Sequence, residues 1–185
     1  MDKLFVEIGV SDFDTLLPLC QNDWRGLFVE PIHRYAEYLR QTIMLHDYRA
    51  DVVEKAVTVK DQPVEMIECL DTDEQWMRGI SHMDVQSGLK LLDLKDNQYI
   101  NRRKITVEGI RLDTLLEQKK IKHIDFLKID IEGHERDVLD DYSWSVKPTM
   151  IKIEHKHIDS QSLSDMLRSH DYTVWTERDD LYAIR

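Results

Sequence analysis

Short apolar runs recur along this chain, and most of them close on an acid followed by a turn-forming residue. Leu4 to Ile8 is β-favouring and ends in Glu7-Ile8-Gly9, as expected of a buried strand entering a turn. Weak helical spacing follows through Thr15, Leu16, Leu17 and Leu19, until Asn22 and Asp23 interrupt it. Gly26-Leu27-Phe28-Val29-Glu30-Pro31 repeats the same order of apolar run, acid and breaker. Tyr35, Tyr38 and Leu39, three and four residues apart, predict a helix, and Asp51 to Val57 predicts a third strand.

From about Lys60 to Ile110 this alternation fails. Val64–Ile67 and Lys104–Val107 read as strands, whereas Gln75 through Leu92 is polar and has no clear period, so the segment is taken as an insertion. Regularity returns with a helix over Leu112–Lys120, a strand over Ile124–Asp130 and a short helix after Gly133 carrying Val138 and Leu139. A strand over Thr149–Glu154 and a helix over Ser162–Ser169 follow. Tyr172–Thr176 and Leu181–Ile184, joined through Arg178-Asp179-Asp180, predict a closing β-hairpin. The expectation is one α/β domain over residues 1–185: a mainly parallel sheet with helices on both faces, a C-terminal antiparallel hairpin, and an insertion between the third and fourth core strands. Such sheets bind ligands beyond the carboxyl ends of their strands, where strand order reverses. Glu7, Glu30, Asp130 and Glu154 each stand at such an end.

Composition narrows the classes further. A chain of 185 residues with 42% hydrophobic and 33% charged residues, 6 Gly and 4 Pro suits one folded domain, not a disordered or collagen-like polymer. The net charge of −11 opposes generic attachment to nucleic acid or to an anionic membrane. Cys20 and Cys69 make neither a disulfide framework nor a zinc motif, no signal peptide precedes the first strand, and no 18 apolar residues occur together. A cytoplasmic protein is expected.

At the first strand-helix turn, Gly9 lets backbone approach a ligand, and Glu30 lies 23 residues after Glu7, close to the roughly 20-residue spacing at which an acid meets ribose hydroxyls. Neither G-x-G-x-x-G nor a P-loop is present, so an adenosine ligand without polyphosphate is favoured. S-adenosyl-L-methionine is such a ligand.

The segments Phe5-Val6-Glu7-Ile8-Gly9, Trp24 to Pro31, Leu112-Asp113-Thr114-Leu115-Leu116, Ile124 to Glu135 and Ile151-Lys152-Ile153-Glu154-His155 resemble FkbM-type methyltransferases in order and spacing, the run IDFLKIDIEGHE being the distinctive one. The resemblance implies a Rossmann-like class I fold and S-adenosylmethionine-dependent methylation, usually O-methylation of a small molecule or sugar. It departs from the family in the first turn, where Ser11 replaces the usual Asn and Phe13 the second Gly. It implies that Glu7, Gly9 and Ser11 hold the amino-acid end of the cofactor, that Glu30 takes the ribose hydroxyls, that Ala56 lies near adenine, and that Asp130 faces the methyl group and acceptor.

Asp130 is then the candidate base for a hydroxyl acceptor, with His155 second, because an imidazole titrates near pH ~6.5. Read without the resemblance, Asp130 is a helix cap before Gly133, and Glu132 and Glu135 are first-turn acids. Asp130, Glu154, His155 and His157 also form a set of oxygen and imidazole donors, read here as a salt-bridged or solvent-facing edge with the metal left unassigned. Trp76, Trp144 and Trp175 are taken as packing residues. Two other classes remain: a methyltransferase-like binding module without catalysis, and a metal-dependent hydrolase. The expected partner is a small acceptor molecule, with homo-oligomerisation left open.

Overall fold

Strands that are apolar at nearly every position must be covered on both faces. In the computed structural model, which describes residues 2–11, 15–70, 82–83, 101–156 and 158–185, helices supply that cover. Strand β1 (Leu4–Ile8) leads through the short α1 (Leu17–Cys20) to β2 (Arg25–Val29), and α2 (His33–His46) connects to β3 (Ala50–Val53). Two-residue β4 (Ala56–Val57) precedes β5 (Val64–Leu70), β6 (His82–Met83), β7 (Asn101–Val107) and β8 (Gly109–Ile110). The remainder is α3 (Leu112–Gln118), β9 (Phe126–Ile129), α4 (Glu135–Asp141), β10 (Met150–Glu154), α5 (Ser160–Ser169), β11 (Thr173–Glu177) and β12 (Asp180–Ile184).

The main sheet has seven strands in the order β11-β12-β10-β9-β1-β2-β3. Strands β10, β9, β1, β2 and β3 pair in parallel, while β12 runs antiparallel to β10 and β11. This is the expected mainly parallel sheet closed by a hairpin. The third strand departs from its predicted span. Instead of running from Asp51 to Val57, it breaks at Glu54-Lys55, where the Glu54 carboxylate turns to Arg40 at 2.8 Å and His33 at 2.9 Å. Ala56 and Val57 then leave the main sheet and pair with Gly109 and Ile110. Within the insertion β5 and β7 form an antiparallel pair from Val64↔Val107 to Leu70↔Asn101. The polar stretch from Gln75, Trp76 included, lies outside the described residues except for His82 and Met83, as do Phe13 and His157.

Period-two alternation sorts the side chains. Val6, Leu27, Leu127 and Ile151 form one row and Ile8, Val29, Ile129 and Ile153 the next, all on a face covered by Leu112, Leu115 and Leu116 of α3, Val138 and Leu139 of α4, and Leu163 and Leu167 of α5. Each fully buried Leu or Ile contributes about 1.5–3 kcal/mol. On the other face Phe5 and Phe28 meet edge to face with centroids 5.2 Å apart, and Cys20 and Leu39 cover them. Trp144 is core, stacked on His170. Trp175 is not: it sits on the edge strand β11, 43% exposed and stacked on Tyr182. Among the described residues no helix is long and apolar enough to cross a membrane.

From β1 the chain builds outward to β2 and β3, and later returns to the opposite side of β1 with β9 and β10. The β1/β9 pair is therefore the switch point. Gly9 leaves β1 at φ +76°, and a Cβ there would lie 1.7 Å from the Asp130 carbonyl oxygen. Gly9→Ala must therefore push the two strand ends apart. We expect it to lower the thermal unfolding midpoint by about 10 °C or more, measured by circular dichroism; an unchanged midpoint would show that the approach is not a constraint.

Candidate functional site

A cleft of about 710 Å³, counting the solvent at its mouth, opens at this switch point. Five of the sequence-predicted residues line it: Gly9 and Ser11 after β1, Glu30 after β2, Ala56 in β4 and Asp130 after β9. Tyr35 and Met66 complete an apolar side. Met66 comes from the insertion and packs with Ile32, Tyr35 and Ala56, so strand β5 contributes to the wall.

Glu30 organises the cleft. It is 3% exposed, and its carboxylate accepts the N–H groups of Val10 at 3.0 Å, Ser11 at 2.9 Å and Ile32 at 2.7 Å. Burial raises its pKa and those three donors oppose the rise. One side chain thus ties the first turn to the start of α2. Ser11 stands in the left-handed region at φ +53°, and its buried hydroxyl has no partner among the described atoms. An orphaned hydroxyl beside a glycine with no space for a side chain suits a polar ligand seated against this turn.

Glu7 is placed differently from its expected role. Alternation along β1 turns it away from Val6 and Ile8, and it does not line the cleft. Fully buried, it meets Lys128 Nζ at 3.1 Å across the β1/β9 register and accepts from the Thr15 hydroxyl at 2.9 Å and the Leu16 N–H at 2.8 Å. Its carboxylate joins the two central strands and fixes the approach to α1, so the reading of Glu7 as a ligand-holding side chain is corrected. Lys128 was missed, although a lysine inside the apolar run Phe126-Leu127-Lys128-Ile129 requires a buried partner.

Asp130 faces the cleft, whereas His155 is not among its lining residues; the His155 N–H donates to the Asp179 carbonyl at 2.8 Å, and its buried Nε2 has no partner among the described atoms. What gathers around Asp130 is acidic instead. One carboxylate oxygen each from Asp130, Glu132 and Glu154 lie within 4.8 Å of one another, and among the described residues no imidazole joins them. Burial, then the neighbouring Asp130 and Glu154, push Glu132 up to about 8. Burial and Asp130 push Glu154 up to about 7. Glu135, 1% exposed, is also raised to about 7, chiefly by burial.

The profile of the methyltransferase FkbM domain matches residues 5–174. The chain belongs to the FkbM methyltransferase family. No curated protein matches this sequence. Among solved structures, this FkbM domain is similar to a fibrillarin pre-rRNA processing protein from Methanococcus jannaschii, at 10% identity and a TM-score of 0.53, over 99% of this chain and 66% of that one. It is also similar to a precorrin-6y C5,15-methyltransferase from Geobacter metallireducens GS-15, at 13% identity and a TM-score of 0.48, over 99% of this chain and 78% of that one. At such identities the likeness concerns the fold, and the sheet is that of class I methyltransferases.

Two outcomes follow for the FkbM domain. Lys128→Met leaves Glu7 buried without its cation and should cost about 3–5 kcal/mol in urea unfolding, while the double variant Glu7→Gln/Lys128→Met recovers much of the loss; equal losses would contradict the pairing. The second concerns pH. The folded chain keeps protons on Glu132, Glu154 and Glu135 that the unfolded chain has already released, so their contribution is full below the ordinary carboxylate range and is lost as pH rises through about 7 to 8. Glu132→Gln should therefore raise the unfolding midpoint at pH 8 by a few degrees and leave it little changed at pH 5, by calorimetry.

Proposed function

We propose that this FkbM domain is an S-adenosylmethionine-dependent O-methyltransferase acting on a hydroxyl of a small molecule or carbohydrate. The carrying observation is the cleft at the β1/β9 switch point, which Gly9, Ser11, Glu30 and Ala56 line together with Asp130. When bound, the cofactor supplies an activated methyl group and a thioether leaving group. The chain's contribution is placement, exclusion of water and a proton acceptor.

In this reading the ligand's amino-acid end sits against the Gly9-to-Ser11 turn, where the Ser11 hydroxyl gains a partner. An ionised carboxylate has about four acceptor positions, and Glu30 spends three on backbone N–H groups, leaving capacity for a ribose hydroxyl. Ala56, Tyr35 and Met66 supply an apolar side for adenine. Asp130 takes the proton of the acceptor hydroxyl. The acidic wall and the net charge of −11 favour a cationic sulfonium over polyanionic partners, and the buried free thiol of Cys20 suits a reducing cytoplasm.

Isothermal titration with S-adenosylmethionine and S-adenosylhomocysteine tests this reading. Binding of both is expected, weakened about tenfold or more by Glu30→Gln, which exchanges a charged acceptor for a neutral amide. A folded wild-type chain giving no heat with either compound at millimolar concentration would remove the proposal.

A further inference from the structure

The loop after β9 carries two successive residues with left-handed backbone, Glu132 at φ +56° and Gly133 at φ +101°. Glycine enters that region freely and glutamate does not, so contacts outside residue 132 must hold it there. Glu135 supplies contacts on both sides of it. Its carboxylate is 1% exposed; Oε1 accepts the Ile131 N–H at 2.8 Å and Oε2 accepts the Gly133 N–H at 3.0 Å. The two bonds flank residue 132 and close the loop into a ring. Both donors precede α4, so they are not the first-turn N–H groups that an ordinary helix-start acid would serve.

The ring borders the cleft. Glu132 lines it together with Asp130 and Ile131, whereas Glu135 does not reach it. The charged groups facing Glu132 are Asp130 at the end of β9, Glu154 on β10, Glu135 on α4, and Lys156 just beyond β10.

We propose that Glu135 is a positioning residue: by holding Glu132 in its left-handed backbone, it keeps that carboxylate beside Asp130 on the wall shared by the cofactor's sulfonium and the acceptor. This assignment rests on the methyltransferase reading. In its ionised form, which an adjacent sulfonium itself favours, a carboxylate at that wall discriminates by charge, holding the cationic sulfonium of the substrate better than the neutral thioether of the product, and so aids product release.

The test is the ratio of S-adenosylmethionine to S-adenosylhomocysteine affinity, measured by titration calorimetry at pH 9, where Glu132 is ionised. Glu132→Gln should lower the ratio about tenfold by removing one nearby charge. Glu135→Asp keeps its charge but withdraws the carboxylate from at least one of its two N–H partners, and should lower the ratio by a similar factor. The double variant should match either single, since both remove the same charge from the wall. A folded Glu135→Asp with the wild-type ratio, or a double variant showing the product of the two losses, overturns the proposal. If Glu135→Asp does not fold, hydrogen exchange in the wild-type chain decides: the Ile131 and Gly133 amides should be protected, and exchange at free-peptide rates overturns the ring. A wild-type chain that binds neither compound removes the methyltransferase reading and this assignment with it; binding of both, with a ratio that Glu135→Asp leaves unmoved, removes this assignment alone.

Discussion

Everything at the carboxyl edge of this sheet depends on how closely β1 and β9 end. A side-chain carbon on residue 9 would fall 1.7 Å from the Asp130 carbonyl oxygen, so the backbone of the first turn lies directly against the end of the fourth core strand. Across that pair the Asp130 N–H donates to the Ile8 carbonyl at 2.9 Å, while on the other side the Gly9 N–H ties the turn to the Val29 carbonyl of β2 at 3.0 Å. Because the chain departs in opposite directions from β1 and β9, a cleft at their carboxyl ends results from topology before any side chain is chosen.

Acids with similar sequence settings then perform different tasks, and pleat direction decides which. Glu7 points to the α1 side and is consumed by Lys128, Thr15 and Leu16, making an internal brace. Glu30, just past the end of β2, turns inward and binds three backbone N–H groups, shaping the turn a ligand would touch. Asp130 and Glu132 face the cleft, and Glu135 supports them from behind through backbone alone. Their proximity is tolerated because burial and mutual repulsion let some of them keep protons near neutrality.

Much of the sheet was legible because parallel strands buried on both faces read as apolar runs; β1 and β10 end where those runs end, at Ile8 and Glu154. The hairpin was equally plain from its polar turn at Arg178 and Asp179. The break of the third strand at Glu54-Lys55 was not, since it depends on Arg40 and His33, distant in sequence and brought near by α2. At the site, Gly9, Ser11, Glu30, Ala56 and Asp130 were found from strand-end position and from the family resemblance. Met66 was hidden because its strand, though read as one, was assigned to an insertion with no place at a core strand end, and Tyr35 because it reads as an ordinary core-facing helix residue. Trp175 shows the opposite error, a large aromatic assigned to packing from its type, when an edge strand left it in solvent.

In the proposed function the β1/β9 cleft, rather than another surface of the FkbM domain, receives the adenosyl ligand. A crystal structure with S-adenosylhomocysteine decides the matter. Ribose hydroxyls are expected at Glu30, adenine between Ala56 and Met66, and the thioether sulfur facing Asp130 and Glu132. Ligand density at any other site, with the Gly9-to-Ser11 turn still closed on Glu30 alone, would contradict it.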